Sequence, residues 1–304
     1  MVQIVISVVV PVFGCKECLR ELVMGVVEHI PNENDFEILL IDDASVDGSW
    51  ETIKSIAENY KQVKGIRLAR NVGQHLAILA GLKSAIGDQV VVMDCDLQDP
   101  PYLIPQLIAR LKSVPVVIAM RQGQHQTYVR TLQNRLFAVT FRILTGRRYQ
   151  NNVTSFSAIS RQVVNEYIKF TEIGQHYLYV LRWLGFQQEY VEYSRPFRPH
   201  GKSSYSFTAR IRHAADGLLF ETTRILQATM IFGLLVALVG FLSTGFVVVS
   251  AIRNSALSGW PSTICILLIF FGLSISLQAI VGTYVSRNFM QNKSRPLFVI
   301  AETI

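Results

Sequence analysis

Two long stretches without formal charge constrain this chain more than any other feature. Positions 225–252 supply 28 residues, and positions 254–286 a further 33, with no Lys, Arg, Asp or Glu. A helix needs roughly 20 apolar residues to cross a hydrocarbon core of about 30 Å. The alternative, a pair of buried core helices, meets two objections: such helices are usually shorter, and these stretches lack a polar face. The sequence therefore predicts two membrane spans, 225–252 and 262–286. Arg210, Arg212 and Arg224 precede the pair, Arg287, Lys293 and Arg295 follow it, and the connection carries only Arg253. By the positive-inside rule both ends lie in the cytoplasm. The opening "MVQIVISVVVPVF" has no basic n-region and reads as a strand rather than a signal peptide.

The rest of the chain has the pattern of an α/β domain. "IVISVVVPVF", "FEILLIDDAS", "VKGIRLAR", "QVVVMDCDL" and "VPVVIAM" alternate with helical segments such as "SWETIKSIAENY" and "GQHLAILAGLKSAI". Continuous apolar strands between helices imply a doubly wound, mostly parallel sheet covered on both faces. The expected organisation is a cytosolic domain over 1–205, a juxtamembrane helix over 206–224, the two spans, and a cytosolic tail over 287–304.

In such a sheet the ligand lies beyond the carboxyl ends of the strands. Asp42 and Asp43 end one expected strand, and Asp94 and Asp96 end another, with Gln98 two residues on. Asp also begins turns and caps helices, and Asp99 before Pro100-Pro101 fits that simpler role. Four carboxylates gathered at two strand ends would repel one another, which favours a bound cation. Carboxylates plus an amide suit Mg²⁺ or Mn²⁺ better than zinc. The alternation of a strand turns Cys95 away from its two aspartate neighbours. No G-x-G-x-x-G follows the first strand, where the chain reads "PVFGCKECL", and no Walker loop is present. A nucleotide would be held through a cation and side chains.

The net charge of +7 is concentrated: between Pro100 and Asn165 there is no carboxylate, while Arg121, Arg130, Arg135 and six other basic residues accumulate. Beside membrane spans, such a run points to anionic headgroups or a phosphate ligand. No recognition motif accompanies it that would argue for nucleic acid. "YVRTLQNRLFAVTFRIL", near 128–146, reads as an amphipathic helix at the membrane surface, with packing on the sheet as the alternative. "RPFRPHGKSSYSF" offers hydroxyls, backbone N–H groups and Lys202 to a phosphate, or is an ordinary connection. Four cysteines in a reducing compartment argue against disulfides, and the lone Cys15-x-x-Cys18 is weak evidence for zinc or redox chemistry.

The motifs "SVVVPVF", "EILLIDDASVDGSW", "LARNVGQHLAILAGL", "VVVMDCDLQDPP", "RWLGFQQEYVEYSRPFRPHGKSSYSF" and "YVSRNFMQNKSRPLFVIAE" together resemble a family 2 glycosyltransferase. More narrowly, they resemble the polyprenyl-phosphate glycosyltransferases related to dolichol-phosphate mannose synthase that carry two C-terminal membrane helices. The resemblance covers nearly the whole chain. It implies a GT-A fold and inverting transfer of a sugar from a UDP- or GDP-sugar to a polyprenyl phosphate. That reaction would take place at the cytosolic face of a membrane, in bacteria the inner membrane, surrounded by membrane lipids.

The resemblance also implies roles for particular residues. Pro11, Phe13, Glu17, Asp42, Asp43, Arg70, Gly73 and Asp94 would contact the nucleotide-sugar. Asp94, Asp96 and Gln98 would hold Mg²⁺ or Mn²⁺, with Asp94 and Asp96 catalytic. Arg121, Arg130, Arg135, Lys202, Ser203 and Ser204 would take the acceptor phosphate.

Three departures stand out. "NNVTSFSAISR" occupies the place where relatives carry an acidic motif, "FGCKEC" replaces an acidic nucleotide-side loop, and Gln74-His75 stand where many relatives begin with lysine. His75 is read either as a donor-phosphate contact or as a packed histidine. A lipid phosphate is already ionised near neutral pH, so the missing carboxylate is consistent with a reaction that needs no general base. Two alternatives remain: transfer to another lipid or lipid-linked oligosaccharide, and an idle relative that scaffolds membrane partners. Ser274, Ser276 and Gln278 in the second span offer polar contacts within one chain or between copies, leaving a homo-oligomer open.

Overall fold

The computed structural model describes residues 5–30, 35–122, 153–172, 175–194, 260–293 and 295–304. The expected interface helix near 128–146, the juxtamembrane segment 206–224 and the span 225–252 lie outside the described residues, as do Arg130, Arg135, Lys202, Ser203 and Ser204.

The five apolar runs are strands, and the segments between them are helices. In chain order they are β1 (Val5–Val12), α1 (Leu19–His29), β2 (Asp35–Asp42), α2 (Ser49–Asn59), β3 (Val63–Leu68), α3 (Gln74–Ser84), β4 (Gln89–Val92), α4 (Ile104–Arg110) and β5 (Val116–Arg121). There follow β6 (Val153–Ser160), α5 (Arg161–Tyr167), α6 (Tyr177–Trp183), β7 (Gln188–Tyr193), α7 (Trp260–Asn292) and β8 (Ile300–Thr303). The chain divides into two units: the eight strands and α1–α6 belong to the first, and α7 to the second.

The strand order is β7-β5-β6-β4-β1-β2-β3-β8. β1 pairs in parallel with β2 and β4, β2 with β3, and β5 with β7. β6 runs antiparallel between β4 and β5, and β8 antiparallel on the outer edge of β3. The sheet is therefore mostly parallel, as expected, but mixed, with β6 and β8 running against the other six strands. The reason is legible in the strands that the apolar-run criterion passes over. "VTSFSAIS" in β6 is rich in hydroxyls, "QEYVEY" in β7 is only half apolar, and β8 is four residues long within the segment read as a tail.

The strands are apolar on both faces because both faces are covered. Ile6, Val8, Val10 and Val12 of β1 join Ile38 and Leu40 of β2 in a buried cluster with residues of α1, α2 and α4. Val9 and Ile41 point to the opposite face, where α3 lies so close that a Cβ on Gly81 would meet Val9 Cγ1 at 2.3 Å. Only glycine permits that approach.

At the amino ends of the strands, the buried Glu37 carboxylate accepts from Ser7 Oγ at 2.7 Å, Ile86 N–H at 2.9 Å and Lys64 Nζ at 2.7 Å. Burial works against the charged form, but these donors hold the carboxyl below its ordinary value. The far edge is closed by β8, whose Glu302 accepts from Trp50 Nε1 at 2.9 Å and pairs with Lys54.

The second expected span falls within α7, a helix of 33 residues in which Gln278 Nε2 donates to Ser274 Oγ at 3.4 Å. Among the described residues no helix is long and apolar enough to cross a membrane.

Candidate functional site

Three parallel strands, β4, β1 and β2, lie side by side and end in the same direction, and their carboxyl ends carry most of the described candidate residues. On β1, Pro11 is buried in register with Ile41, and the next loop exposes Phe13 and Glu17. At the end of β2, Asp42 and the residue after it, Asp43, are almost fully buried. Asp42 accepts from Ser45 N–H at 3.1 Å and lies 3.5 Å from Arg67 Nε. Asp43 grips the loop after β3, accepting from Val72 N–H at 2.7 Å and Gly73 N–H at 2.8 Å. Burial nevertheless pushes both carboxyls above their ordinary range. Arg70, in the loop that Asp43 grips, is exposed.

The loop after β4 is built around a carboxylate that sequence reasoning treats as an ordinary turn residue. Asp99 is fully buried, accepts from the Asp94 N–H at 2.9 Å and from Tyr193 Oη–H at 3.0 Å, and so ties the loop to β7. Burial, then the neighbouring charge of Asp94, pushes its carboxyl up to about 7. Arg121, at the end of β5, donates from Nε to Tyr193 Oη at 3.3 Å. The expected acceptor-side arginine and the expected cation loop are thus joined through Tyr193 and Asp99.

Asp94 itself accepts at Oδ1 from Gln74 Nε2 at 2.6 Å and from Ser155 Oγ at 2.9 Å. Gln74 opens α3 and Ser155 lies on β6, two of the three places where the chain departs from the resembled pattern. A neutral amide and a hydroxyl therefore orient this carboxylate. Asp96 Oδ1 accepts from the Gln98 N–H at 3.1 Å, folding the loop over one turn.

Among the described residues, Ala44 and Leu97 are the non-glycine residues at positive φ, +54° and +60°. One follows each acidic pair. Left-handed backbone at a residue with a Cβ costs of order 1–3 kcal/mol and concentrates at functional sites. Leu97 in particular separates Asp96 from Gln98 by a sharp change of direction.

The donor chemistry fits a hard cation. Asp94 and Asp96 are half-buried, with Gln98 beside them. The soft ligand of the motif is turned away: Cys95 is buried in the core cluster. A hydrogen bond with Cys15, then burial, pushes the Cys95 thiol upward. Among the described residues, no three His, Cys, Asp or Glu side chains converge as a metal cage. A cation here would draw its remaining ligands from phosphate oxygens and water, as Mg²⁺ usually does. The two acidic pairs also have separate partners: the Arg67 guanidinium and backbone N–H groups offset part of the repulsion in the β2 pair without a metal ion.

His75 packs rather than standing alone. Its ring lies 3.9 Å, centroid to centroid, from that of His176, which in turn lies 4.4 Å from the ring of Tyr179. Sequence reasoning did not single out Ser155, Tyr193, Gln175 or His176. The clue available for Ser155 was its place in the stretch that departs from the resembled motif.

Residues 7–168 match the profile of Glycosyl transferase family 2. Over 98% of its length the chain is 28% identical to an undecaprenyl-phosphate 4-deoxy-4-formamido-L-arabinose transferase of Proteus mirabilis, covering 94% of that protein. It is also 28% identical to a bactoprenol glucosyl transferase of Shigella phage SfX, over 97% of this chain and 98% of that one. Among solved structures, glucosyl-3-phosphoglycerate synthase from Mycobacterium tuberculosis, in complex with Mg²⁺ and uridine diphosphate, superposes with a TM-score of 0.51 at 19% identity. That match covers 71% of this chain and 78% of the other, and shows a shared fold.

Proposed function

Since the chain belongs to glycosyl transferase family 2 and is a glycosyltransferase, we propose that it moves a sugar from a nucleotide-sugar to a polyprenyl phosphate. In this reading the transfer inverts the anomeric carbon and takes place at the cytosolic face of a membrane; the support for membrane attachment is the uncharged length of 225–252 and 262–286 in the sequence, not the described helices. The observation that carries this reading is the braced loop after β4, where Asp94 and Asp96 stand at the carboxyl end of the sheet. The full-length relatives named for undecaprenyl phosphate and bactoprenol support the acceptor class.

Asp94, Asp96 and Gln98 would hold Mg²⁺ or Mn²⁺, which when bound neutralises charge developing on the departing diphosphate. The protein's own residues do the positioning. Gln74 and Ser155 fix the Asp94 carboxylate, Asp99 fixes its backbone, and Asp43 shapes the loop carrying Arg70 and Gly73 toward the nucleotide. Arg121, held through Tyr193 in fixed relation to that loop, is suited to an anionic acceptor. The acceptor phosphate oxygen forms the new bond to the anomeric carbon as the carbon–oxygen bond to the diphosphate breaks. An ionised phosphate has no proton to lose, and the described part of the departing stretch, β6, carries hydroxyls in place of carboxylates. Catalysis then rests on orientation and charge neutralisation.

The test is incubation of the purified full chain with polyprenyl phosphate, Mn²⁺ and a panel of labelled UDP- and GDP-sugars. Label in the polyprenyl phosphate is the expected result. Label only in another lipid would move the acceptor, and nucleotide binding without any turnover would leave a scaffold.

A further inference from the structure

One buried polar group is unexplained by the transfer scheme. Gln175 is 2% exposed, yet neither its Nε2 nor its Oε1 has a hydrogen-bond partner among the described residues. Leaving a buried amide unpaired costs free energy, so such a group in a native fold calls for an explanation. Its surroundings point to one. The ring of the next residue, His176, packs on His75 at a 45° tilt, and the Tyr177 N–H reaches His75 Nδ1 at 3.5 Å. His75 in turn follows Gln74, whose amide bonds Asp94 Oδ1 at 2.6 Å. The wall Gln74–His75–His176–Gln175 is therefore continuous with the carboxylate assigned to the cation. The other side of this segment is anchored, since Tyr177 Oη of α6 lies 2.8 Å from Ser157 Oγ on β6, two residues from Ser155.

We propose that Gln175, with the packed His75–His176 pair, forms the subsite for the sugar of the donor, and that the Gln175 amide reads its hydroxyls. This rests on the glycosyltransfer reading above. The reacting sugar is bonded directly to the diphosphate, so it must lie within about one ring width of the loop that holds the cation. The wall matches a neutral polyhydroxylated ring. An amide both donates and accepts, as a sugar hydroxyl does, and flat rings offer apolar faces to the C–H side of the sugar. A site built to hydrogen-bond a substrate hydroxyl discriminates strongly against analogues that lack it, because its own buried groups are then left unpaired.

Gln175→Met keeps the length of the side chain and removes both hydrogen-bonding atoms. Calorimetry on the full chain in detergent compares binding of UDP and GDP with binding of their sugar conjugates, and thermal unfolding controls for folding. The expected result for Gln175→Met is nucleoside diphosphate affinity within about twofold of wild type, but nucleotide-sugar affinity lowered about tenfold, the size of a lost pair of neutral hydrogen bonds. Discrimination between sugar epimers should shrink by a similar factor. The unfolding midpoint should stay the same or rise, since an unpaired buried amide has been removed. Unchanged nucleotide-sugar affinity, an equal loss for both ligands, or a lowered midpoint with intact affinities would overturn the subsite. A wild-type protein that binds no nucleoside diphosphate would sink the glycosyltransfer reading and the subsite together. Nucleoside diphosphate binding in wild type together with nucleotide-sugar affinity that is insensitive to Gln175 would sink the subsite alone.

Discussion

Replacing Asp99 by alanine removes the carboxylate that braces the loop after β4 from within. Its two oxygens serve Tyr193 Oη–H at 3.0 Å and the Asp94 N–H at 2.9 Å, and the side chain has no solvent exposure. Truncation strands a buried hydroxyl and a part-buried amide. Each such loss costs about 1–3 kcal/mol, so the pair should cost about 2–5 kcal/mol. For a domain of this size, that lowers the unfolding midpoint by roughly 5–15 °C. Asp99→Asn keeps an oxygen for the Asp94 N–H and turns an N–H toward Tyr193, so it should cost about 1 kcal/mol. If Asp99 only starts the turn into Pro100-Pro101, alanine should cost about 1 kcal/mol, the size of a lost cap, whatever stands at 193. A double-mutant cycle with Tyr193→Phe, read by unfolding of the purified full chain, separates the two accounts. The brace predicts a coupling of about 1–2 kcal/mol, whereas additivity within about 0.5 kcal/mol would refute it.

Gly81→Ala should destabilise by about 1–3 kcal/mol despite better helix propensity, because the added methyl meets Val9 and Ile41 and must lift α3 off the sheet; denaturant unfolding measures it. Glu37 has a folded-state carboxyl held below its ordinary value of 4.5. Its contribution to stability is therefore complete above that value and is lost as pH falls through the lower, folded-state one. Unfolding midpoints taken below pH 4.5 should accordingly fall more steeply for wild type than for Glu37→Gln, and parallel curves would count against the pairing. Glu302→Ala removes the acceptor for Trp50 and Lys54. Amide hydrogen exchange should then accelerate in β8 while β1 and β2 remain protected.

Legibility in the sequence followed the kind of signal that each element sends. β1 to β5 were readable because strands buried on both faces must be continuously apolar, and Asp42, Asp43, Asp94 and Asp96 because they interrupt such runs at the ligand-binding end. β6 was not readable, since its hydroxyls serve the site: Ser155 bonds Asp94, and Ser157 pairs with Tyr177. Its antiparallel course makes the sheet mixed. Asp99 reads as a turn former from sequence because a buried brace and a turn former look alike before a pair of prolines. Only the partner Tyr193, 94 residues away, tells them apart. Gln175 and His176 send no local pattern at all, and their meaning comes from His75 across the fold. The acidic loops also carry Ala44 and Leu97 in left-handed backbone, a signature that residue type does not disclose.

The account turns on a divalent cation gripped by Asp94 and Asp96 as the diphosphate departs. The most direct measurement follows Mn²⁺ binding by electron paramagnetic resonance, with and without nucleoside diphosphate, for wild type and Asp96→Ala, alongside transfer to polyprenyl phosphate. Nucleoside diphosphate should tighten Mn²⁺ binding in wild type, and the substitution should abolish both that effect and lipid labelling while the protein stays folded. Labelling that persists in Asp96→Ala, or that proceeds in wild type stripped of divalent cations, would contradict it.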